Sequence, residues 1–247
     1  MALVKVIRLG NRIVRRAALC ILGSAALLNI ESALAVSLSV VVSLAVYAAA
    51  FGLEFSLGFV ILLFLHELGH MIAARVVGLS SKGPMFVPFV GAVIHLSKEP
   101  RNAKMEANIA LGGPALGSLS AFGCLALYFW TQHMLLLVLS YTACLLNLFN
   151  LIPCYPLDGG RIAGAISSRL WWLGTFVLGI LFFFTHNILI VMIFGVSLFR
   201  LWQGDRSSDE AEYFRLATRQ RLKVAGWYFG LVTVLGLLTV YLVDLLH

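Results

Sequence analysis

The chain has 247 residues, of which 61% are hydrophobic and only 12% are charged. A soluble domain would carry about 25% charged residues, so most of this chain is expected inside a membrane, with no room for a second large soluble domain. The formal net charge of +7 does not indicate a nucleic-acid partner. The basic residues form short clusters between apolar runs, which is the distribution that the positive-inside rule predicts for membrane proteins.

The first 32 residues predict a basic interfacial segment, because Lys and Arg alternate there with apolar side chains. A transmembrane helix needs about 20 mostly apolar residues, and the rest of the chain offers seven such runs. If the N-terminus is cytoplasmic, seven crossings leave all 18 Lys and Arg residues on the cytoplasmic side or at its edge and the C-terminus outside. The predicted spans are 33–53, 56–77, 106–130, 134–152, 164–184, 186–202 and 223–244.

The segment between the second and third spans has a different character. The stretch "MFVPFVGAVIHL" combines β-branched and aromatic residues with Pro and Gly, so short strands forming a hairpin over about 83–97 are predicted instead of a helix. The predicted organisation is a membrane core over 33–202, a polar cytoplasmic linker over 203–222 and an additional C-terminal helix within 223–247. The fold class is therefore an all-α polytopic membrane protein with about seven helices and one short hairpin.

The second predicted span contains the stretch "LFLHELGHMI", which places an HExxH pattern inside an apolar run. An ionisable side chain at this depth costs about 2.5–3.5 kcal/mol on insertion scales, so a compensating partner is expected. Residues four apart share one face of a helix, and His66 and His70 could bind one zinc ion there. Glu67, on the adjoining face, would act as general base toward a water that the metal activates.

A catalytic zinc site usually has three protein ligands, and acidic residues near the predicted spans are few. Asp158 stands out because it lies in "NLIPCYPLDGG", where two prolines and two glycines predict an interruption of the helix. Irregular backbone inside a membrane is tolerated only when it is buried in protein or lines water. This stretch could aim Asp158 at the histidines, or it could be a plain interfacial loop in which Asp158 is solvated or caps the next helix.

HExxH in one predicted membrane helix, with "NLIPCYPLDGG" in a later one, resembles the site-2 protease family of intramembrane zinc metalloproteases, also called peptidase family M50. The resemblance extends over about residues 33–202. It implies that His66, His70 and Asp158 bind one Zn²⁺ and that Glu67 is the catalytic base. It also implies that Asn150 helps to hold substrate or the developing oxyanion, and that the 83–97 hairpin is associated with the membrane.

One element departs from the family pattern. "GGPALG" at 112–117 resembles a GPxxN element, but Gly117 stands where the family has asparagine. Gly113 and Gly117 then form a GxxxG pair, which is typical of close helix packing, so no catalytic role is assigned there. The chain resembles a minimal form of the family, without a PDZ or CBS domain.

The resemblance implies cleavage of a peptide bond in or near a transmembrane segment. The substrate would be a single-pass membrane protein or a signal-peptide remnant, in a bacterial or archaeal plasma membrane, with the site toward the cytoplasm. The hairpin could hold an extended substrate by strand addition, with Phe89 and Val90 on the substrate-binding strand. Two alternatives remain open at this stage: an ion-coupled transporter, since intramembrane His and Glu also serve proton relays, and an inactive zinc-binding scaffold.

Overall fold

The structure is a computed structural model that describes residues 30–81, 83–88, 91–93, 96–203 and 212–247. Most of the predicted interfacial segment (1–29), the predicted substrate-strand residues Phe89 and Val90, and 204–211 of the predicted linker lie outside the described residues.

Eight helices and two short strands make up the described ranges, and the strands lie between the second and third helices. The strands are β1 (Met85–Val87) and β2 (Gly91–Val93), and the helices are α1 (Ile30–Phe51), α2 (Leu53–Val76), α3 (Ala103–Thr131), α4 (Met134–Asn150), α5 (Asp158–Ile166), α6 (Leu170–Thr185), α7 (Ile188–Gln203) and α8 (Thr218–Leu246).

Four of these helices are long and apolar enough to cross a membrane: α1 over Leu34–Phe51, and the whole of α2, α3 and α8. The apolar helices α4, α6 and α7 have 17, 16 and 16 residues. At 1.5 Å per residue they reach about 24–26 Å, less than the hydrocarbon core of about 30 Å. The chain is therefore an integral membrane protein by its helices, while seven crossings and their orientation stay predictions.

The outward faces of the helices carry large apolar side chains, as a protein surrounded by lipid requires. Trp130, Phe184 and Trp202 are 70–87% exposed at the ends of α3, α6 and α7. Burying such surface in hydrocarbon is favourable by about 25 cal/mol per Å². In water, contiguous apolar surface of this kind would mark an interaction site, and here the lipid tails supply the apolar surroundings.

The helices α2 and α3 pack closely, because glycines face one another across the contact. A Cβ added to Gly69 would lie 2.1 Å from the carbonyl oxygen of Gly112, and a Cβ added to Gly112 would lie 2.4 Å from that of Gly69. Only residues without a side chain allow this approach, as in small-residue packing of membrane helices generally. The contact brings the backbone of α3 directly against the HExxH segment.

The two strands pair antiparallel within the segment predicted as a hairpin, with Met85 opposite Val93 and Val87 opposite Gly91. The sheet is fixed on the side of β1, since Phe86 N–H donates a 3.1 Å hydrogen bond to Ser39 Oγ on α1. β2 contacts α2, the helix that carries HExxH. The sheet therefore lies between the first two helices.

After α4 the chain is irregular over 151–157 and then begins the short helix α5 at Asp158. The sequence predicted an interruption here, but Gly159 and Gly160 were wrongly assigned to it, because both are in the first turn of α5. Their small size serves close approach instead. A Cβ on Gly159 would lie 2.2 Å from the Leu151 carbonyl oxygen, and one on Gly160 would lie 2.4 Å from the Cys154 carbonyl carbon.

The C-terminal helix α8 packs into the main hydrophobic core. Its buried residues Val224, Tyr228, Leu235 and Leu242 belong to one cluster with residues of α2, α3, α4 and α5. The predicted division into a membrane core over 33–202 and an additional C-terminal helix stays a prediction. The apolar face of α8 covers the same helices that carry the predicted site.

Candidate metal centre

His66 and His70 lie on the buried face of α2, one helical turn apart. The two residues are 3% and 9% exposed, and the rings meet edge to face with centroids 4.8 Å apart. The two Nε2 atoms are 3.2 Å from each other. The i, i+4 spacing on a helix thus brings both imidazoles to a single point, as the sequence pattern predicts.

The other ring nitrogen of each histidine faces a hydrogen-bond acceptor. His66 Nδ1 is 2.9 Å from Asn147 Oδ1 on α4. His70 Nδ1 is 2.9 Å from the Ile109 carbonyl oxygen on α3, which accepts, and 3.2 Å from the main-chain nitrogen of Gly113, which donates. The shorter contact, to the acceptor, assigns the proton to His70 Nδ1. An imidazole nitrogen that faces such an acceptor carries the proton, which leaves Nε2 as the lone-pair donor. Both lone pairs then point at the same place.

Asp158 completes this convergence from the start of α5. Its Oδ2 is 3.2 Å from His66 Nε2 and 3.1 Å from His70 Nε2. The three side chains each offer a ligand atom, and these atoms lie within 4.8 Å of one another. The sequence left two alternatives for Asp158, and the structure agrees with the one in which its side chain meets the histidines.

The donor set fits a metal ion. Two imidazole lone pairs and a carboxylate oxygen repel one another unless a cation lies between them. Ligands bound to a tetrahedral zinc ion at 2.0–2.1 Å are about 3.3 Å from each other, close to the observed separations of 3.1–3.2 Å. His66, His70 and Asp158 could therefore hold one zinc ion.

Gly113 lies directly against this site. A Cβ added there would be 2.3 Å from His70 Nε2 and 2.8 Å from His66 Nε2. Gly113 is thus part of the wall of the candidate metal centre. The GxxxG pair predicted to pack helices closely does so at the site itself, since Gly117, one turn on, packs against the side chain of Asn147.

Glu67 is buried next to the two histidines, with 7% of its surface exposed. Its electrostatic neighbours include His66, His70, Asp158 and Arg161. Within the described part of the chain its carboxylate makes no hydrogen bond or ion pair, so it is not committed to a structural partner. This placement is suited to proton transfer beside the ligand set.

The other predicted site residues lie further out or outside the described residues. Asn150 is near the end of α4, where its Nδ2 donates to the Leu146 carbonyl at 3.1 Å. Asn147 was missed, although the argument that identified the histidines applies to it too. It is a fully buried polar side chain in an apolar run, and such a group needs a partner.

Comparison with known proteins agrees with the predicted resemblance. The family model for peptidase family M50 matches residues 54–134. The resemblance to this family is confirmed. The match includes HExxH and Gly113, and it ends before Asn147 and Asp158.

Two proteins named as zinc metalloproteases are similar to this chain over shorter stretches. Zinc metalloprotease MJ0392 of Methanocaldococcus jannaschii is 36% identical over 110 residues, which is 42% of this chain and 32% of that protein. Putative zinc metalloprotease Rip3 of Mycobacterium tuberculosis is 39% identical over 114 residues, which is 43% of this chain and 28% of that protein. The matched segments thus span about a third or less of these relatives. A solved structure of the site-2 protease from Methanocaldococcus jannaschii is 25% identical, with a TM-score of 0.43, and the likeness covers 72% of this chain and 87% of that one.

Proposed function

We propose that this protein is an intramembrane zinc metalloprotease that hydrolyses a peptide bond in or near a transmembrane segment of a membrane-anchored substrate. The observation that carries the proposal is the convergence of His66 Nε2, His70 Nε2 and Asp158 Oδ2 among apolar helices. Three protein ligands are typical of a catalytic zinc site, which keeps one position open. The M50 match and the names of the relatives support the same activity.

When bound, zinc would supply Lewis-acid activation of water and of the scissile carbonyl. His66, His70 and Asp158 would hold the ion, and their burial would keep competing water away. Glu67 would accept a proton at its carboxylate and later deliver it to the leaving amine. The described residues include no salt-bridge or hydrogen-bond partner for Glu67, which supports this role, because a carboxylate already tied into a salt bridge would be a weaker base.

Asn150 is proposed to contact the substrate or the developing oxyanion. Its amide nitrogen has two hydrogens, and within the described residues only one of them makes a hydrogen bond, to the Leu146 carbonyl. The second N–H is available to donate to an oxygen that gains negative charge, the arrangement that lowers acyl-transfer barriers. This proposal rests on the match of motif and on that free donor.

The substrate is proposed to bind as an extended strand next to the two-stranded sheet. A helical peptide hides its peptide bonds, whereas strand addition holds them open through main-chain hydrogen bonds. The contact of β2 with α2 supports this position, because it brings the sheet beside the helix that carries HExxH. Phe89 and Val90 are proposed to take part.

We further propose that the substrate is a single-pass membrane protein or a signal-peptide remnant. The site would then face the cytoplasmic side of a plasma membrane, with the N-terminus of the enzyme inside and its C-terminus outside. The distribution of Lys and Arg along the sequence supports this orientation.

Replacement of Glu67 with Gln tests the proposed function. The purified variant is expected to bind zinc like the wild type and to lose at least about a hundredfold in peptide cleavage, the usual contribution of general acid–base catalysis. The assay would follow fragments of a single-pass substrate reconstituted with the enzyme in liposomes. Cleavage at the wild-type rate would contradict the role of Glu67. A zinc-binding wild type that cleaves no substrate but transports an ion would favour the transporter alternative.

A further inference from the structure

We propose that Asn147 is a positioning residue for His66, and that position 117 on the neighbouring helix is an alternative location for the same amide group. One asparagine, at 147 or at 117, would then suffice to orient His66, and both at once would not fit. The inference rests on the proposed function in one respect, since it takes His66 as a metal ligand.

The amide of Asn147 is held at both ends. It is 1% exposed, and its Nδ2 donates a 2.6 Å hydrogen bond to the Ala143 carbonyl on its own helix. A carbonyl can only accept, so this bond identifies the NH₂ end of the amide. The oxygen end must then face His66 Nδ1, at 2.9 Å.

The orientation of the Asn147 amide determines which ring nitrogen of His66 can bind a metal. An amide oxygen cannot donate, so the hydrogen bond requires the proton on Nδ1 and leaves the lone pair on Nε2. Ligating histidines are generally fixed in this way by an acceptor behind the ring, and removal of the acceptor costs about 10–100-fold in metal affinity. For His70 that acceptor is a main-chain carbonyl of α3, but for His66 it is a side chain, which mutation can remove.

Gly117 faces this amide from α3. A Cβ at position 117 would lie 2.1 Å from Asn147 Oδ1 and 2.4 Å from its Nδ2. These distances are too short for any side chain to coexist with Asn147 in its present conformation. The space that a side chain at 117 would enter is therefore the space that the amide of Asn147 fills.

The same distances place position 117 within reach of His66. Its Cβ would be within about 5 Å of His66 Nδ1, because the two legs of the path through Asn147 Oδ1 are 2.1 Å and 2.9 Å. An asparagine side chain starting there can span that gap with one hydrogen bond. Gly117 is also where this sequence departs from the GPxxN pattern that it resembles. The position that lacks the asparagine and Asn147 therefore face each other in space.

The exchange of the amide between positions 147 and 117 is tested by the zinc affinity of the purified protein in detergent. The affinity is measured by competition with a chromophoric zinc chelator. Asn147→Ala is expected to weaken zinc binding about 10–100-fold. Asn147→Leu fills the space without an acceptor, so it should weaken binding as well. Gly117→Asn alone should also impair binding, because its side chain overlaps Asn147. The double variant Asn147→Ala/Gly117→Asn should recover at least about tenfold of the lost affinity.

A matched control places the new asparagine elsewhere on α3. Gly123 has nothing within 4 Å of its added Cβ, so Asn147→Ala/Gly123→Asn should be as weak as Asn147→Ala. Thermal unfolding with and without zinc distinguishes a positioning role of Asn147 from a packing role. Loss of a positioning role reduces the stabilisation that zinc provides. Loss of a packing role lowers the melting temperature of the metal-free protein.

Wild-type zinc affinity in Asn147→Ala or in Asn147→Leu would overturn the positioning role. The exchange would be overturned by a double variant that binds zinc no more tightly than Asn147→Ala. If the alanine variant does not fold, Asn147→Leu is the reference instead. Cleavage assays on the same preparations keep this inference distinct from the proposed function. A wild type that binds zinc through this set and never cleaves would contradict the protease proposal alone.

Discussion

The three candidate metal ligands are held in two different ways. His66 and His70 are on one continuous helix, and the neighbouring backbone of α3 fixes them by close packing of Gly69, Gly112 and Gly113. Asp158 instead follows seven residues without regular structure, at the first position of a nine-residue helix. Its position depends on what holds that irregular stretch.

The segment around Asp158, from the irregular stretch into the first turn of α5, receives hydrogen bonds from distant helices. Tyr228 Oη on α8 donates to the Leu151 carbonyl at 2.7 Å, and Trp171 Nε1 on α6 donates to the Gly160 carbonyl at 2.8 Å. Both donors are buried. They donate to main-chain carbonyls on either side of Asp158, and the Leu151 carbonyl, just beyond the end of α4, needs such a partner in apolar surroundings.

The difference indicates how each half of the site should respond to change. The close packing around the histidines leaves no free space, so one added methyl group there should disrupt the site completely. The segment around Asp158 is held by a few hydrogen bonds. Loss of one of them should cost a moderate amount of stability, and Asp158 should still bind the metal, but less tightly. Three substitutions test this contrast.

The largest effect is expected for Gly113→Ala. The new methyl group would lie 2.3 Å from His70 Nε2, where the metal ion and its ligands must meet. Zinc binding and cleavage should both be lost, as measured by metal content of the purified protein and by substrate cleavage in liposomes. Gly123→Ala on the same helix is the control, because nothing lies within 4 Å of its Cβ. A Gly113→Ala enzyme that retains zinc would mean that α2 and α3 can separate.

A moderate effect is expected for Tyr228→Phe. The Leu151 carbonyl would lose its donor in a buried environment, at a cost of about 1–3 kcal/mol. We expect a lower melting temperature and weaker zinc binding, with zinc still bound at saturation. Tyr241→Phe, on the exposed face of the same helix, should change neither quantity. Unchanged zinc affinity in Tyr228→Phe would show that α8 does not support Asp158.

The smallest effect is expected for Tyr213→Phe, within the predicted linker. Tyr213 Oη donates to Glu106 Oε2 at 2.8 Å, and Glu106 in turn is 3.9 Å from Arg161 Nη1 on α5. Burial and the Glu106 carboxylate raise the pKa of Tyr213, so the phenol keeps its proton at neutral pH. Loss of the bond should reduce stability by about 1 kcal/mol, as measured by thermal unfolding, with little change in zinc affinity. A large loss of zinc would place this contact among the supports of Asp158.

The sequence predicts the histidine half of the site well because its geometry is local. HExxH spacing on a helix determines which face the two rings share, and apolar runs longer than about 20 residues predict the long helices. Residues 153–160 also predict an interruption through Pro153 and Pro156. However, Gly159 and Gly160 serve close packing inside a helix, and composition alone does not distinguish that use from a turn.

The supports of the site could not be predicted in the same way, because they come from residues distant in the chain. Tyr228 and Trp171 have no motif, and their roles depend on which carbonyls the fold brings beside them. Asn147 is an intermediate case. Its polarity inside an apolar run indicates a buried partner, but only the packing of α2 against α4 shows that the partner is His66.

The most direct test of the account is a structure of the zinc-loaded protein with an anomalous difference map at the zinc absorption edge. We expect one peak, about 2 Å from His66 Nε2, His70 Nε2 and an oxygen of Asp158, with Glu67 beside it and outside the ligand set. A peak bound by the histidines without Asp158, or zinc bound elsewhere with these three side chains apart, would contradict the account.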